Sequence, residues 1–566
     1  MPMINERAIA YFSMEIALHN GIPTYSGGLG ILAGDMLKSA ADLNVPMVAV
    51  TLLHEKGYFH QQLDENGNQL EQAVSWDPRK YLEPLPGTVN VEMEGRSVKI
   101  RAWKYELHGS RGFTIPVYFL DTNLGDNDPQ DRSLTGQLYG GDARYRLCQE
   151  IILGIGGIRM LREMGHHAIK KYHMNEGHAG LAVLELLNEA HRQLNKPETD
   201  PETIESVRRQ CVFTTHTPVA AGHDRFAPDL VRNILGEQEI IRLNGFHEGQ
   251  NFDITRLALN LSGYINGVSR KHGNVARSMF PEYPVQSITN GVHSVTWTSE
   301  PFQKLYDIFL PGWRQDSFAL RHALNIPKEA VWAAHLESKQ VLLDLVNQNE
   351  KAGMDVPVFT IGFARRAALY KRADLLFHDI ARLKKIATEV GPLQVIYAGK
   401  AHPQDREAKA IITKIFHSRR ALKNHIKVIY LSNYDMEMGR LITAGVDLWL
   451  NNPVSPLEAS GTSGMKACHN GVPQLSILDG WWAEGHMEGV TGWAIAQDGQ
   501  PPAEGDDRNR DAAYLYHKLE NVIIPMFYRD REKYINIMKH CIALNASFFN
   551  TQRMVQEYVT NAYLAL

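Results

Sequence analysis

Short apolar runs alternate along this chain with longer amphipathic stretches. "VPMVAVTLL" (45–53), "CVFTTHT" (211–217), "VFTIGFARR" (358–366), "LQVIYAGKA" (393–401), "IKVIYLSNY" (426–434) and "VDLWLNN" (446–452) are rich in β-branched and aromatic residues and predict strands. Between them, "RLCQEIILGIGGIRMLREMG" (146–165) and "REAKAIITKIFHSRRALKN" (406–424) repeat apolar positions at helical spacing. Strand–helix alternation in both halves predicts an α/β fold with parallel sheets covered by helices on both faces. The stretch from Asn521 to the end reads as helical throughout. A boundary falls within 298–356, between "SITNGVHSVTW" and "MDVPVF". The expected division is 1–298, 299–530, and helices over 531–566 that cross back to the first domain. There is no internal repeat or low-complexity tract.

Sheets of this kind bind ligands beyond the carboxyl ends of their strands. The polar tails "TTHTP", "ARR", "AGKAHP", "LSNY" and "NNP" therefore predict one shared crevice. Composition then narrows its contents. A hydrophobic share of 44% with 22% charged residues is an ordinary globular balance. A net charge of −4 argues against a nucleic-acid partner and leaves a neutral ligand, or an anion held in a local basic pocket. Cys148, Cys211, Cys468 and Cys541 form no CxxC pair, so neither a disulfide scaffold nor a metal site is expected, and a reducing cytoplasm fits. The first residues lack a basic segment leading into an apolar run, and no stretch of about 18 apolar residues occurs, so no secretory leader or membrane span is expected.

Three constellations carry candidate chemistry. In "TYSGGLGILAGD" (24–35), Gly27 and Gly28 allow a tight turn whose amides lead into a helix. That is a place for an anion or a sugar oxygen, or simply a structural turn. In "ARRAALYKRADLL" (364–376), Arg365, Arg366, Lys371 and Arg372 follow a strand. They read either as a solvated basic face or as a phosphate clamp, and the strand-end position favours the clamp. In "PLEASGTSGMKACHNGVPQ" (456–474), Glu458 precedes Lys466 by eight residues. Retaining glycosyltransferases built from two Rossmann-like domains often carry a second glutamate near that place, against the ribose of a nucleotide donor. A charged lysine has donors only, so something other than a nucleotide belongs beside Lys466.

"EASGTSGMK" closely resembles the signature of the glycogen/starch (α-glucan) phosphorylases. The likeness extends in family order through "YFSMEIALHNGIPTYSGGLGILAGD", "HMNEGHAGLAVLELL", "TTHTPVAAGHDRF", "INGVSRKHGNVARSMF", "SITNGVHSVTW", "RRAALYKR", "YAGKAHP" and "LSNYDMEMGRLI". The chain is shorter than the animal and plant enzymes and looks like the compact prokaryotic branch. The resemblance implies a glycosyltransferase-B fold, two Rossmann-like domains facing a deep crevice. It implies an α-1,4-glucan phosphorylase that takes inorganic phosphate and an α-glucan or maltooligosaccharide and releases α-D-glucose 1-phosphate with retention. The phosphate of pyridoxal 5′-phosphate would act as proton shuttle.

Position by position, the resemblance makes Lys466 the cofactor lysine. Arg365 would hold the cofactor phosphate with Thr462 and Ser463, and Tyr434 would lie near the pyridine ring. Arg366 and Lys371 would bind substrate phosphate, with Gly27 and Gly28 as the glycine loop facing it. Glu458, Ser460 and Gly461 would grip the reacting glucose. Glu15, Glu176 and His178 fall on further substrate positions, with no metal ligand among them. Three departures stand out: Gly263 where the family has a sugar-contacting histidine, Glu176 for an aspartate, and Asp435 for an arginine. His216 and His223 read as structural ahead of catalytic. A homo-oligomer is a family-level expectation, and the reduced length suggests that classical phosphorylation and nucleotide-effector elements are absent. Two competing readings stay open: a nucleotide-sugar-dependent retaining glucosyltransferase resembling glycogen synthase, and a glucan-binding module with a decayed site.

Overall fold

The computed structural model describes residues 6–219, 222–237, 246–497 and 504–564. Residues 1–5, and Ala220 and Ala221 of "THTPVAAGHDRF", lie outside the described residues.

Nine strands form the first sheet: Ile9–Ser13 (β1), Met47–Leu52 (β2), Glu83–Met93 (β3), Arg96–His108 (β4), Thr114–Asp121 (β5), Lys171–Asn175 (β6), Cys211–Thr214 (β7), Tyr264–Gly267 (β8) and Gln286–Ser287 (β9). Their order is β9-β8-β7-β6-β1-β2-β5-β4-β3. Pairing is parallel from β9 to β5 and antiparallel through β5-β4-β3. This corrects the expectation of a wholly parallel sheet. The cause is local: Glu94 and Gly95, at φ +52° and +71°, close a two-residue turn that pairs Met93 with Arg96. Two positive φ values in succession are what a hairpin of this length demands. Most of β3 is wet on at least one face, as an antiparallel edge allows.

The second sheet comprises Phe359–Ala364 (β10), Leu393–Ala398 (β11), Lys427–Leu431 (β12), Leu448–Asn451 (β13), Gln474–Ser476 (β14) and Gly492–Ala494 (β15). All its pairs are parallel, in the order β12-β11-β10-β13-β14-β15. β10 and β11 are buried at every residue, as strands covered on both faces must be. Each buried Val, Ile or Phe on such a strand contributes about 1.5–3 kcal/mol relative to exposure. All six strand segments predicted from the apolar runs coincide with observed strands, shortened by one to three residues at their ends.

The amphipathic stretch after Asp142 is one helix, Ala143–Glu163, with a wider turn at Ile152–Gly156. Its glycines let other chain segments in: a Cβ on Gly154 would sit 2.5 Å from the Ala182 amide. The carboxyl-terminal segment is helical with breaks at Asp530 and before Asn550, each of which caps the next helix. Tyr534, Ile537, Met538 and Cys541 join the core of the second half. Only the last turns reach the first sheet: Met554, Val555 and Tyr558 enter its core, and Tyr558 Oη bonds Thr214 and Asn266 while Tyr563 Oη bonds His173. The four cysteines are free and buried. Among the described residues, no helix is long and apolar enough to cross a membrane.

Candidate functional site

The carboxyl ends of the two sheets hold carboxylates in opposite electrical surroundings. On the second sheet, Arg365 emerges directly after β10. Its guanidinium donates to Asn451 Oδ1, at the end of β13, and to Glu458 Oε2. Lys371 reaches the same carboxylate from the turn Leu369–Lys371, with Nζ 3.1 Å from Oε2. Burial alone would raise the Glu458 pKa, but Arg365 and Lys371 outweigh it and hold the group at about 2. Arg372, in the left-handed region at φ +47°, is buried against the Asn452 and Pro453 carbonyls and Asp511, so it serves the turn rather than the Glu458 cluster. Gly399 follows β11 at φ +148°, and a Cβ there would lie 1.9 Å from the Arg365 carbonyl oxygen, so only glycine fits.

Further along, Gly461 at φ +80° turns the chain back beside Glu458, where a Cβ would stand 3.3 Å from Glu458 Cγ. The Glu458 amide donates to Asp479 at 2.9 Å, and burial pushes the Asp479 carboxyl up to about 6. Ser460 Oγ is buried and has no hydrogen-bond partner among the described residues. Thr462 stands at the start of the short helix Ser463–Cys468, and Ser463 Oγ accepts from Trp449 Nε1. Lys466 is buried on that helix, its Nζ 3.6 Å above the ring of Trp297. The Trp297 indole N–H is in turn held by Asp35 Oδ2 at 2.6 Å. Burial lowers the Lys466 amine to about 8; Asp35 opposes this and Lys38 adds to it. The Tyr434 phenol is raised by burial and by Asp435, with the charge of Arg365 opposing.

On the first sheet, Glu15 follows β1. It accepts from the amides of Ser26 (2.5 Å) and Gly27 (3.2 Å) and from Tyr139 Oη (3.1 Å). Burial raises its pKa against these neutral donors. Gly27 and Gly28 begin the helix Gly28–Asp42, and a Cβ on either would meet nothing within 4 Å, so the outer side of the loop is open. Glu176 follows β6 at φ +78° and ψ 167°, a region that side chains occupy only under strain. It accepts from the His216 amide at 2.7 Å and the Gly177 amide at 3.2 Å, yet burial pushes it up to about 8. His178 is buried, with Nε2 3.6 Å from Asp224, Nδ1 without a partner among the described residues, and a pKa lowered by that burial.

Arg366 joins the two sides. It is accessible to solvent, yet its charge is felt by Tyr370 of its own half and by Tyr58, Tyr139 and Glu15 of the other. The geometry thus gathers Arg365, Lys371 and Glu458 into one ion cluster, while the charge of Arg366 is felt by Glu15, which holds the Ser26 and Gly27 amides of the glycine loop. Gly263 stands apart. It lies at the amino end of β8, where a Cβ would sit 2.8 Å from the Arg208 carbonyl, away from the carboxyl ends of the strands. His216 donates to Asn175 Oδ1 and His223 pairs with Thr255, both ordering loops. Sequence reasoning missed Trp297 and Asp35 beneath Lys466, Asn451 and Asp479 around Glu458, and Tyr58 and Tyr139 opposite Arg366. Trp297, Asp35 and Asn451 lay inside quoted stretches, "SITNGVHSVTW", "TYSGGLGILAGD" and "VDLWLNN"; Asp479, Tyr58 and Tyr139 carried no local signal.

The sequence profile described as carbohydrate phosphorylase matches residues 219–488. The chain is 39% identical to the maltodextrin phosphorylase of Thermococcus litoralis, over 99% of this chain and 70% of that protein. It is 34% identical to the glycogen phosphorylase of Aquifex aeolicus, over 99% and 86%. A protein of uncharacterized function from Methanocaldococcus jannaschii matches at 31%, over 98% and 99%. With the signature around Lys466 in place and the likeness running nearly end to end, the chain belongs to the carbohydrate phosphorylase family of enzymes.

Proposed function

We propose that this chain is an α-1,4-glucan phosphorylase: it transfers the non-reducing-end glucose of a maltodextrin, glycogen or starch to inorganic phosphate, releasing α-D-glucose 1-phosphate with retention. The observation that carries the reading is the Lys466 amine: buried, poised at about 8, and resting on an indole face with no hydrogen-bonded carboxylate among the described residues. A nucleotide-sugar enzyme needs an acceptor for ribose hydroxyls near that place, and a lysine supplies none when charged. The same amine, partly neutral near pH 8, suits covalent attachment to an aldehyde.

These residues fit pyridoxal 5′-phosphate. Lys466 would tether it, Arg365 with Thr462 and Ser463 would hold its phosphate, and Tyr434 would flank the ring. Bound there, it supplies a phosphate whose second pKa of about 6 exchanges protons near neutrality. The chain's own residues do the rest. Arg366, Lys371 and the open glycine loop bind substrate phosphate and offset repulsion between neighbouring anions. Glu458, Ser460 and Gly461 orient the glucose hydroxyls, with Glu15, Glu176 and His178 on the opposite wall. Substrate phosphate protonates the departing glycosidic oxygen and then attacks the glucosyl centre from the same face, so no glycosidase-like carboxylate pair is required.

We read 1–298 and 299–530 as two Rossmann-like domains around this crevice, with 531–566 as helices crossing back. The strand order of the second sheet, 3-2-1-4-5-6 when numbered within it, supports that reading. The decisive experiment incubates the purified protein with phosphate and a maltooligosaccharide ladder and scores glucose 1-phosphate. The cofactor absorbance should be fixed onto Lys466 by borohydride, and Lys466→Ala should lose both band and turnover. An active, colourless protein, or one that consumes a nucleoside-diphosphate glucose without phosphate, would refute the proposal.

A further inference from the structure

The antiparallel hairpin His60–Leu63 and Gln69–Gln72 leaves the first half and lies on the second. Two of its glutamines are buried at the contact, 1% and 6% exposed, so their amides must be paired there. Gln61 Nε2 donates to the Gly399 carbonyl at 2.9 Å and to Gln69 Oε1 at 2.8 Å. Gln61 Oε1 accepts from the Asn433 amide at 2.9 Å, and the Gln61 amide donates back to Asn433 Oδ1 at 3.2 Å. Gln69 Oε1 accepts from the Ala401 amide at 2.9 Å while its Nε2 donates to the Ala401 carbonyl at 2.9 Å. Lys400 Nζ donates to the Phe59 carbonyl at 2.9 Å. At the hairpin tip, Gly67 lies against the ring of Phe416.

What the amides grip is not arbitrary surface. Gly399 is the residue whose backbone touches the Arg365 carbonyl, and Asn433 is the immediate neighbour of Tyr434. We propose that Gln61 and Gln69 are positioning residues: their amides lock the first half's hairpin onto the loops after β11 and β12, and so set the width at which Arg366 faces Glu15 and the glycine loop. The proposal rests on the phosphorylase reading for its consequence, phosphate capture, but its geometric part stands without it. Amides suit the task because each offers a donor and an acceptor without burying a charge: Gln69 spends both on the Ala401 backbone, and Gln61 bridges the Gly399 carbonyl and the Asn433 amide.

The test uses the full chain carrying spin labels on cysteines introduced at Arg111 and Lys423, exposed positions of the two halves; the native cysteines are buried. Gln61→Leu keeps side-chain volume and removes the amide. Asn433→Gly keeps the left-handed backbone at φ +55° and removes one arm of the lock. The expected result is a longer, broader label-to-label distance distribution in both variants, larger in Gln61→Leu. With it, KM for phosphate should rise about tenfold, the equivalent of one lost buried hydrogen bond, while kcat stays within about twofold. A merely structural role would lower the melting temperature and leave distance and phosphate KM alone. Unchanged distances overturn the proposal whatever the kinetics, and if Gln61→Leu does not fold, Asn433→Gly decides. Should the wild type lack phosphorolysis altogether, the distances still report on the lock while the functional reading fails separately.

Discussion

Glu458 and Glu176 are both buried glutamates in loops that follow parallel strands, and their pKa values shift in opposite directions. Arg365 and Lys371 hold Glu458 at about 2; Glu176, offered the His216 and Gly177 amides but facing the negative charge of Asp224, is pushed up by burial to about 8. Burial costs both groups the same kind of solvation, so the difference is full positive charge beside Glu458, against amide dipoles and the negative charge of Asp224 beside Glu176. The second sheet's wall is thus an ionic surface able to exchange one anion for another. The first sheet's wall is a nearly neutral hydrogen-bonding surface, suited to an uncharged polyol.

The largest test of that contrast is Lys371→Met. Losing a cation from the ionic wall should lower kcat/KM for phosphorolysis by about 10³, or about 4 kcal/mol, with a rise in phosphate KM and little change in glucan affinity. An equal loss in glucan binding would erase the division of labour between the walls. Next, Glu458→Gln should destabilise the fold by about 3 kcal/mol at pH 7. Because the folded pKa lies below the unfolded one, the wild-type advantage is present above about pH 4.5 and fades as pH falls through about 2. Melting curves of both proteins from pH 7 downward measure this, and a gap that ignores pH would contradict the ion cluster.

For Glu176 the sign reverses. Its folded pKa exceeds the unfolded value, so stability is greatest below about pH 4.5 and is lost as pH rises through about 8. Glu176→Gln should therefore gain on the wild type by about 2 kcal/mol between pH 5 and 9, less than the full shift implies because water penetration relaxes a buried charge. Parallel melting curves in that range would show the gap widening with pH; a constant gap would mean that Glu176 is already ionised. The smallest effect belongs to Gly263→Ala. Crowding against the Arg208 carbonyl should cost about 1–2 kcal/mol of stability and leave kcat/KM for glucan unchanged, since the position lies away from the crevice.

How far the sequence could be read depended on the range of the interaction. Strands such as Phe359–Ala364 were legible because a strand buried on both faces must be apolar throughout. The β3–β4 hairpin escaped because its alternation is half-wet and its turn uses "EG", a weaker signal than Asn-Gly. Motif order located "EASGTSGMK" and "RRAALYKR". It did not say that Lys371 would fold onto Glu458 while Arg366 faced the other half.

By itself, then, the sequence determined the elements and the kinds of chemical group available, because both follow from neighbours a few residues apart. The electrical state of those groups was a tertiary matter. Whether a buried glutamate is charged depends on which cations the fold brings within a few ångströms, here from 93 and 87 residues away for Arg365 and Lys371. The same holds for the amine of Lys466, whose burial over Trp297, itself held by Asp35, brings together segments that no local pattern connects.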